Sequence, residues 1–129
     1  MLDTNTISDI LRRRSVALAH YRDALSHPSK LLMCPMVYHE LYRGLLHRGA
    51  RKQLAFLQRL IELFTWEEFT RDDWTMAAKV WANLRAKGVQ IGDADLLIGI
   101  YAKRRQAILV TDNIKDFTPL GLTIENWRE

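Results

Sequence analysis

The chain has 129 residues, of which 48% are hydrophobic and 26% are charged, so it has the size and apolar content of one globular domain and not of a disordered segment. Its 19 Lys and Arg residues outnumber its 15 Asp and Glu residues, a basic excess that fits either a polyanionic partner or an ordinary solvated surface. The apolar runs are too short to span a membrane and the single cysteine, Cys34, cannot form an internal disulfide, so we expect a cytoplasmic protein without membrane contact that buries Cys34 as a small hydrophobe.

Short apolar runs alternate with segments of helical periodicity along the chain. Strands are predicted at 1–2, 31–34, 65–69, 107–111 and 122–126. Helices are predicted over Thr6–Arg14, Val16–Ser26, 35–47, Arg51–Phe64 and Asp72–Lys87 and from the start of DADLLIGIYAKRR, with a turn or short helix in DNIKDF. Pro28 closes the second helix, Pro35 suits the first turn of the third, and Asp72 or Asp73 caps the fifth. Because strands that alternate with helices require crossover connections, the pattern predicts one α/β domain over residues 1–129 with a mostly parallel sheet.

Acidic side chains follow the predicted strands or begin the helices after them. They are Asp3, Glu40, Asp93, Asp95, Asp112 and Asp116. Sites in open parallel sheets form beyond the carboxyl ends of the strands, so these acids are predicted to converge. Carboxylates held close together repel one another unless a cation neutralises them, and oxygen ligands favour Mg²⁺ or Mn²⁺. With basic clusters at 11–14, 47–52 and 103–105 around it, such a centre has the charge layout of a metal-dependent nuclease.

Each of these acids also has an ordinary structural interpretation. Asp93 can be only the N-cap of its helix, and Asp116 only a turn residue. Glu40 is harder to explain in this way, because its helical neighbours Val37 and Leu41 trace an apolar face and a glutamate beside a core needs a partner. The basic clusters can equally be solvated helix faces. The residue pattern alone therefore leaves metal catalysis and structural capping both open.

Other chemistries are less well supported by the sequence. The four histidines share no ligand spacing, and Arg43 stands where HELYR would need a second histidine to bind zinc. The tryptophans can stack on bases, but their spacing favours packing in a core or a dimer interface. One stripe of the fifth helix is predicted to be a packed face: Trp74, Ala77, Ala78 and Trp81.

Four segments, in order along the chain, resemble the motifs of the PIN-domain ribonucleases, and within that family those of the VapC toxins of toxin–antitoxin pairs. LDTNTISD at 2–9 resembles the opening strand-to-helix motif, and VYHELYRG at 37–44 resembles the helix that carries the family glutamate. IGDADLLIGIYA at 91–102 resembles the helix start with the third acid, and ILVTDNIKDF at 108–117 resembles the final strand and turn. The resemblance spans essentially the whole chain and implies a single nuclease domain with three α/β/α layers around a short central sheet.

The resemblance implies roles for the residues that match the family motifs. Asp3, Glu40 and Asp95 match the first three acids, which are implied to be catalytic and to bind the metal. At the fourth position many relatives carry an aspartate, whereas this chain carries Asn113 directly after Asp112. Asp112 is therefore expected to act in catalysis in place of the missing aspartate.

A second group of residues is expected to support these acids. The group consists of Asn5, Asp93, Thr111, Asn113 and Asp116. Within it, Asp93 is a helix cap or an outer hydrogen-bonding group, and Asp116 is the alternative to Asp112 as the source of the fourth carboxylate. Whether the site holds one metal ion or two stays open for this reason.

The activity that the resemblance implies is the Mg²⁺- or Mn²⁺-dependent hydrolysis of RNA phosphodiester bonds. Its implied partners are an RNA substrate, a small antitoxin of VapB type whose tail lies across the active site, and a second copy of the chain in a homodimer. Two alternatives are a PIN-like RNA-processing nuclease without an antitoxin and a non-catalytic nucleic-acid or protein-binding module. The intact set of acids disfavours the binding module.

Overall fold

The computed structural model describes residues 1–27 and 30–129, so the helix stop predicted at Pro28 lies outside the described residues. The helices are α1 (Thr4–Leu11), α2 (Ser15–Ser26), α3 (Pro35–Arg48), α4 (Arg51–Ile61), α5 (Arg71–Ala86), α6 (Asp93–Arg104) and α7 (Ile114–Phe117), the last followed by a short 3₁₀ helix at Thr118–Leu120. The strands are β1 (Leu32–Met33), β2 (Thr65–Trp66), β3 (Leu109–Val110) and β4 (Ile124–Glu125). Across these two ranges, none of the helices has the length and apolar character needed to cross a bilayer.

The strands pair only in parallel among the described residues. β1 pairs with β2, β3 pairs with β4, and Leu2 adds a single parallel bridge to Val110 on β3. The predicted α/β class with short parallel pairing is confirmed, although the described strands form two separate two-stranded sheets and each strand has two residues where up to five were predicted. Helices limit the Leu2 bridge and β1, since α1 begins directly after Asp3 and α3 begins with Pro35. Residues 88–92 form no strand, so Asp93 and Asp95 at the start of α6 do not follow a strand end. In this they differ from the acids that come after the Leu2 bridge, β1 and β3.

The first residues of the described chain lie inside the sheet. The nitrogen of Met1 donates to the Ile108 carbonyl (2.7 Å), and the Val110 N–H donates to the Met1 carbonyl (2.8 Å). The Asp3 N–H then donates to the Val110 carbonyl (2.9 Å). These bonds fix the backbone on both sides of Leu2, and they place Asp3 at the end of the bridge next to β3.

Close packing behind the acid-bearing edge depends on a glycine in α6. A Cβ atom added to Gly99 would lie 2.1 Å from Cδ1 of Leu120, which belongs to the 3₁₀ helix. The missing side chain therefore lets α6 approach the segment that follows α7. Cys34 is fully buried, and burial raises the pKa of its thiol to about 11, which confirms its predicted role as a small core hydrophobe.

The tryptophan stripe of α5 is only partly a packed face. Ala77 is buried, but Trp74 and Trp81 expose 53% and 42% of their surface. Together with Leu96 and Leu97 of α6 these side chains line an open groove. The prediction of a packed face is wrong for Trp74, Ala78 and Trp81, which are all exposed, because α6 covers only Ala77 among the four residues.

The N-terminus of α5 carries a buried ion-pair network that the sequence did not reveal. Thr70 is the N-cap, and it exchanges hydrogen bonds with Asp73: the Asp73 N–H donates to the threonine hydroxyl (3.3 Å), and the Thr70 N–H donates to the carboxylate (2.8 Å). Arg104 and Arg105 donate to the fully buried Asp73 carboxylate at 2.6 and 2.9 Å. Two cations of the predicted basic cluster 103–105 therefore hold α5 against α6. Asp72, the alternative cap, is exposed at the helix start.

We predict that Asp73→Asn lowers the free energy of unfolding by about 3 kcal/mol, because two arginines lose the carboxylate that neutralises them in a buried site. The arginines hold the pKa of Asp73 below its ordinary value in spite of burial, so this stabilisation is present above pH about 4 and is lost as the pH falls further. Urea denaturation at pH 7 and at acid pH measures both effects.

Asp72→Asn is the matched control, because its carboxylate is 82% exposed and lies 3.9 Å from Arg104. We expect this variant to change stability by about 0.5 kcal/mol or less. Equal losses in the two variants would show that helix-start charge matters and the buried network does not.

Candidate active site

Asp3 is a buried carboxylate held at the junction of the Leu2 bridge and α1. Its side chain accepts the Thr4 N–H at Oδ1 (2.7 Å) and the Thr111 hydroxyl at Oδ2 (2.7 Å), and Asn5 Nδ2 donates to Oδ2 as well (3.3 Å). Burial raises the pKa of Asp3 above its ordinary value and the nearby Glu40 adds to the rise, whereas the bonds from Thr111 and Thr4 oppose it. The hydrogen bonds thus orient the carboxylate rigidly, and they offset part of the rise in its pKa that burial and Glu40 cause.

The loop after β3 is tied to the start of α1 by side-chain hydrogen bonds. Asn5 Nδ2 donates to the Thr111 hydroxyl (3.2 Å), and Asn5 Oδ1 accepts the Asp112 N–H (3.1 Å). The Asn113 N–H donates to the Thr111 hydroxyl (3.0 Å), whose own proton goes to Asp3. The side chains of Asn5 and Thr111 therefore lie next to Asp3, and Asn113 contributes its backbone N–H to the same network.

Glu40 reaches the same region from α3. The Thr4 hydroxyl donates to Glu40 Oε1 (3.1 Å), while Arg43 Nη2 lies 3.9 Å from Oε2. Thr4 consequently joins two acids, Asp3 through its backbone N–H and Glu40 through its hydroxyl. The Glu40 side chain is 24% exposed and lies close enough to Asp3 to act on it electrostatically.

Asp95 approaches from the first turn of α6. Burial raises its pKa above the ordinary value, and the carboxylates of Asp3 and Asp116 raise it further. The N-cap of α6 is Gly92, which makes no side-chain cap bond, so Asp93 is not the N-cap and its cap interpretation is wrong. Asp93 instead lines the groove beside Trp74 and is exposed.

The two candidates for the fourth carboxylate lie in different surroundings. Asp116, in the first turn of α7, is exposed and close enough to Asp95 to raise the pKa of that carboxyl. Asp112 accepts from Arg128 Nη1 (2.5 Å) and Asn126 Nδ2 (3.2 Å), and these contacts hold its carboxylate at the C-terminal segment. Only the backbone N–H of Asp112 is bonded to the network around Asp3.

The acids that converge fit a hard divalent cation by their chemistry. All the groups around Asp3 offer oxygen ligands, and both Asp3 and Asp95 have pKa values raised by burial and by neighbouring carboxylates, a repulsion that a bound cation relieves. Over residues 1–27 and 30–129, no three His, Cys, Asp or Glu side chains form a ready-made metal cluster. The expected three-carboxylate centre is therefore present as a set of electrostatic neighbours, and sharing one ion requires side-chain movement.

Sequence reasoning missed the residues that lie beyond the motifs. Arg128 and Asn126 contact Asp112, and the hydroxyl of Thr4 goes to Glu40 and not to Asp3. The hydrogen-bonding character of the DTNT turn signalled the role of Thr4 in general terms. Nothing in the pattern of the last residues signalled Arg128, because its partners precede it by 16 and 119 positions.

Comparison with known proteins gives a consistent result. A family model described as PIN domain matches residues 1–118. "Ribonuclease VapC1" of Haemophilus influenzae is 31% identical over 98% of this chain and 96% of the relative, and "Ribonuclease VapC2" of Rickettsia felis is 29% identical over the same shares. The crystal structure of VapBC2 from Rickettsia felis bound to a DNA fragment from its promoter superposes with a TM-score of 0.87 at 25% identity, covering 98% of this chain and 97% of that one.

We predict that Thr111→Val raises the pKa of Asp3 further, because it removes the hydroxyl that donates 2.7 Å to the carboxylate and keeps the shape of the side chain. A carbon-detected NMR titration of the Asp3 carboxyl in metal-free protein measures the shift. Thr111→Ser keeps a hydroxyl and is expected to leave the pKa close to the wild-type value. An unchanged Asp3 pKa in Thr111→Val would mean that this hydrogen bond does not stabilise the charged form.

Proposed function

The chain belongs to the PIN domain family, and on that premise we propose that it is a divalent-metal-dependent endoribonuclease, the toxin of a VapBC-type toxin–antitoxin pair. The observation that supports the proposal is that two further acids, Glu40 of α3 and Asp95 of α6, lie close enough to Asp3 to interact with it electrostatically. A mere set of helix caps would not place two carboxylates with raised pKa values beside one another.

Each acid has a distinct part in the proposed reaction. Asp3 is the fixed ligand, because Thr4 and Thr111 hold both of its oxygens. Glu40 and Asp95 are less confined, and they are proposed to close around Mg²⁺ or Mn²⁺ with Asp3. A bound ion of this kind lowers the pKa of a water molecule and holds a phosphate oxygen.

The proposed nucleophile is water and not a side chain of the protein. The thiol of Cys34 is buried, with its pKa raised to about 11, so it stays protonated and out of reach of RNA. The hydroxyls of Thr4 and Thr111 donate to carboxylates and orient them. Hydrolysis by water would therefore need no covalent protein intermediate, and a divalent ion held by Asp3, Glu40 and Asp95 would supply the activation of that water.

Basic side chains next to the acids support a polyanionic substrate. Arg43 lies beside Glu40 at the site, and a groove at the other end of α1 is lined by Arg13, Lys52 and Arg59 around Phe56. Cations near an acidic centre can hold the phosphates that flank the bond to be cleaved. This layout supports RNA as the substrate over a small neutral molecule.

A small VapB-type antitoxin is proposed as the partner, since solved relatives include VapBC complexes. Coexpression with the product of a neighbouring short reading frame should suppress cleavage and give a stable complex. A nuclease that is insensitive to any such product would favour the RNA-processing alternative. A homodimer is also proposed, and sedimentation of the purified chain tests it.

We predict that Asp3→Asn reduces RNA cleavage by about two orders of magnitude or more, because the fixed ligand loses its charge. Total RNA is incubated with Mn²⁺ and with EDTA, and the cut ends are mapped. Asp23→Asn is the matched control, since Asp23 is exposed on α2 and is not one of the acids that interact with Asp3. Cleavage that survives EDTA, or an Asp3→Asn variant as active as the control, would contradict the proposal.

We predict that Asp116→Asn costs more activity than Asp112→Asn, about tenfold for Asp116 if it acts on the ligand Asp95. Asp116 acts electrostatically on Asp95, whereas the Asp112 carboxylate is bonded to Arg128. Initial rates of cleavage of one mapped RNA site measure the difference. The reverse order would place Asp112 in the catalytic centre.

A further inference from the structure

Asp112 has its backbone inside the candidate active site and its charge outside it. Its N–H donates to Asn5 Oδ1 (3.1 Å), and the preceding residue, Thr111, donates to Asp3. Its carboxylate turns to the C-terminal segment, where Arg128 Nη1 (2.5 Å) and Asn126 Nδ2 (3.2 Å) donate to it. A residue one position from the contact with Asp3 thus adds no bonded carboxylate to the acid cluster.

Arg128 is itself oriented by a buried carboxylate. Its Nε donates to Asp9 Oδ2 (2.8 Å) and its Nη2 to Asp9 Oδ1 (3.3 Å), a two-point contact that fixes the plane of the guanidinium. The Asp9 side chain is only 4% exposed, whereas those of Arg128 and Asp112 are 47% and 39% exposed. The buried pair with Asp9 therefore sets the direction of the Arg128 side chain, and the more exposed Asp112 carboxylate takes the orientation that pairs with it.

We propose that Arg128 is a positioning residue that holds the Asp112 carboxylate outside the acid cluster, so that the fourth position of the site is the neutral Asn113. The inference rests on the proposed function, because it concerns how many charges surround the ion. Asp9 on α1 and Asp112 after β3 belong to the two segments that carry Asp3 and Thr111, so a single arginine spans both halves of the site.

Release of Asp112 has a definite consequence for cation binding. Once its arginine is gone, the 39% exposed side chain of Asp112 can take other staggered χ1 rotamers, while its backbone stays bonded to Asn5 beside the acid cluster. An additional carboxylate at an oxygen-ligand site strengthens the binding of divalent cations. Arg128 consequently limits the charge of the site and with it the number and affinity of bound ions.

The test measures Mn²⁺ binding to metal-free protein by titration calorimetry and by electron paramagnetic resonance, without RNA. Loss of Arg128 alone leaves the buried Asp9 with only the long contact to Arg14 Nε (3.8 Å), so the main variant is the double substitution Asp9→Asn with Arg128→Gln. Its partner is the triple variant that adds Asp112→Asn. Arg128→Lys is a second route, since one ammonium can stay with Asp9 but cannot fork to both carboxylates.

We expect Asp112→Asn alone to bind Mn²⁺ as the wild type does. The double variant is expected to bind at least about threefold more tightly or to take up a second ion, because it gains a carboxylate, and the triple variant is expected to return to the wild-type value. Arg128→Lys should shift in the direction of the double variant. Thermal melting of each protein confirms that it is folded.

Two results would overturn the inference while leaving the proposed function in place. One is weaker Mn²⁺ binding by Asp112→Asn alone, which would make Asp112 a ligand already. The other is wild-type binding by the folded double variant and by Arg128→Lys. A wild-type protein that neither binds Mn²⁺ nor cleaves RNA would overturn the proposed function and this inference together.

Discussion

The burial of the Asp3 carboxylate is the constraint on which the arrangement of the site depends. A buried carboxylate is costly unless it is hydrogen-bonded, and here its partners are the Thr4 N–H and the Thr111 hydroxyl, both at 2.7 Å. Thr4 is adjacent in sequence, but Thr111 is brought to it by the pairing of Leu2 with Val110. The same register that forms the sheet therefore supplies the group that stabilises the charge.

Parallel pairing explains why a few hydrogen bonds are enough to hold the Asp3 carboxylate in place. Leu2 and Val110 are opposite one another, so Asp3 and Thr111 are the next residues on adjacent strands that run in the same direction. Helix α1 starts at once with Asp3 as its N-cap, and its free N–H groups favour a negative charge there. Asp95 has the same advantage in the first turn of α6. Helix starts thus offset part of the burial, and of the smaller repulsion between carboxylates, that raise the pKa values of both acids.

The features that the sequence predicts well are those set by neighbouring residues. An acid after an apolar run, helical spacing around Glu40 and a strand before Thr111 are local patterns, and each lies within a few residues of its predicted place. Strand length was overestimated most at 65–69, 107–111 and 122–126, because an apolar run does not show how many of its residues find a pairing partner. The start of α5 was misplaced because Thr70 and Asp73 cap it jointly, a choice among several polar residues.

The features that the sequence does not predict are contacts between distant charges. A basic run such as 103–105 has the same appearance whether it faces RNA or neutralises a buried acid, and only the burial of Asp73 decides it. The direction of the Asp112 carboxylate is likewise decided by Arg128, which lies outside every motif. The exposure of the Trp74 and Trp81 rings depends on how much of α5 is covered by α6, and helical periodicity does not predict that coverage.

The distribution of cations follows from these contacts. Arg104, Arg105 and Arg128 are bonded to carboxylates, so they contribute to folding more than to any phosphate-binding surface. A concentration of basic side chains lies instead at the groove of Arg13, Lys52 and Arg59, beyond the C-terminal end of α1.

The two ends of α1 therefore carry opposite charges, with Asp3 as the N-cap and Arg12 as the C-cap. This order agrees with the helix dipole, so an acidic centre and a basic rim about 12 Å apart, the length of an eight-residue helix, are compatible with a stable α1. One short helix thus separates the charges that a metal ion requires from those that a polyanion requires. The separation keeps the arginines of the rim from neutralising the acids of the centre.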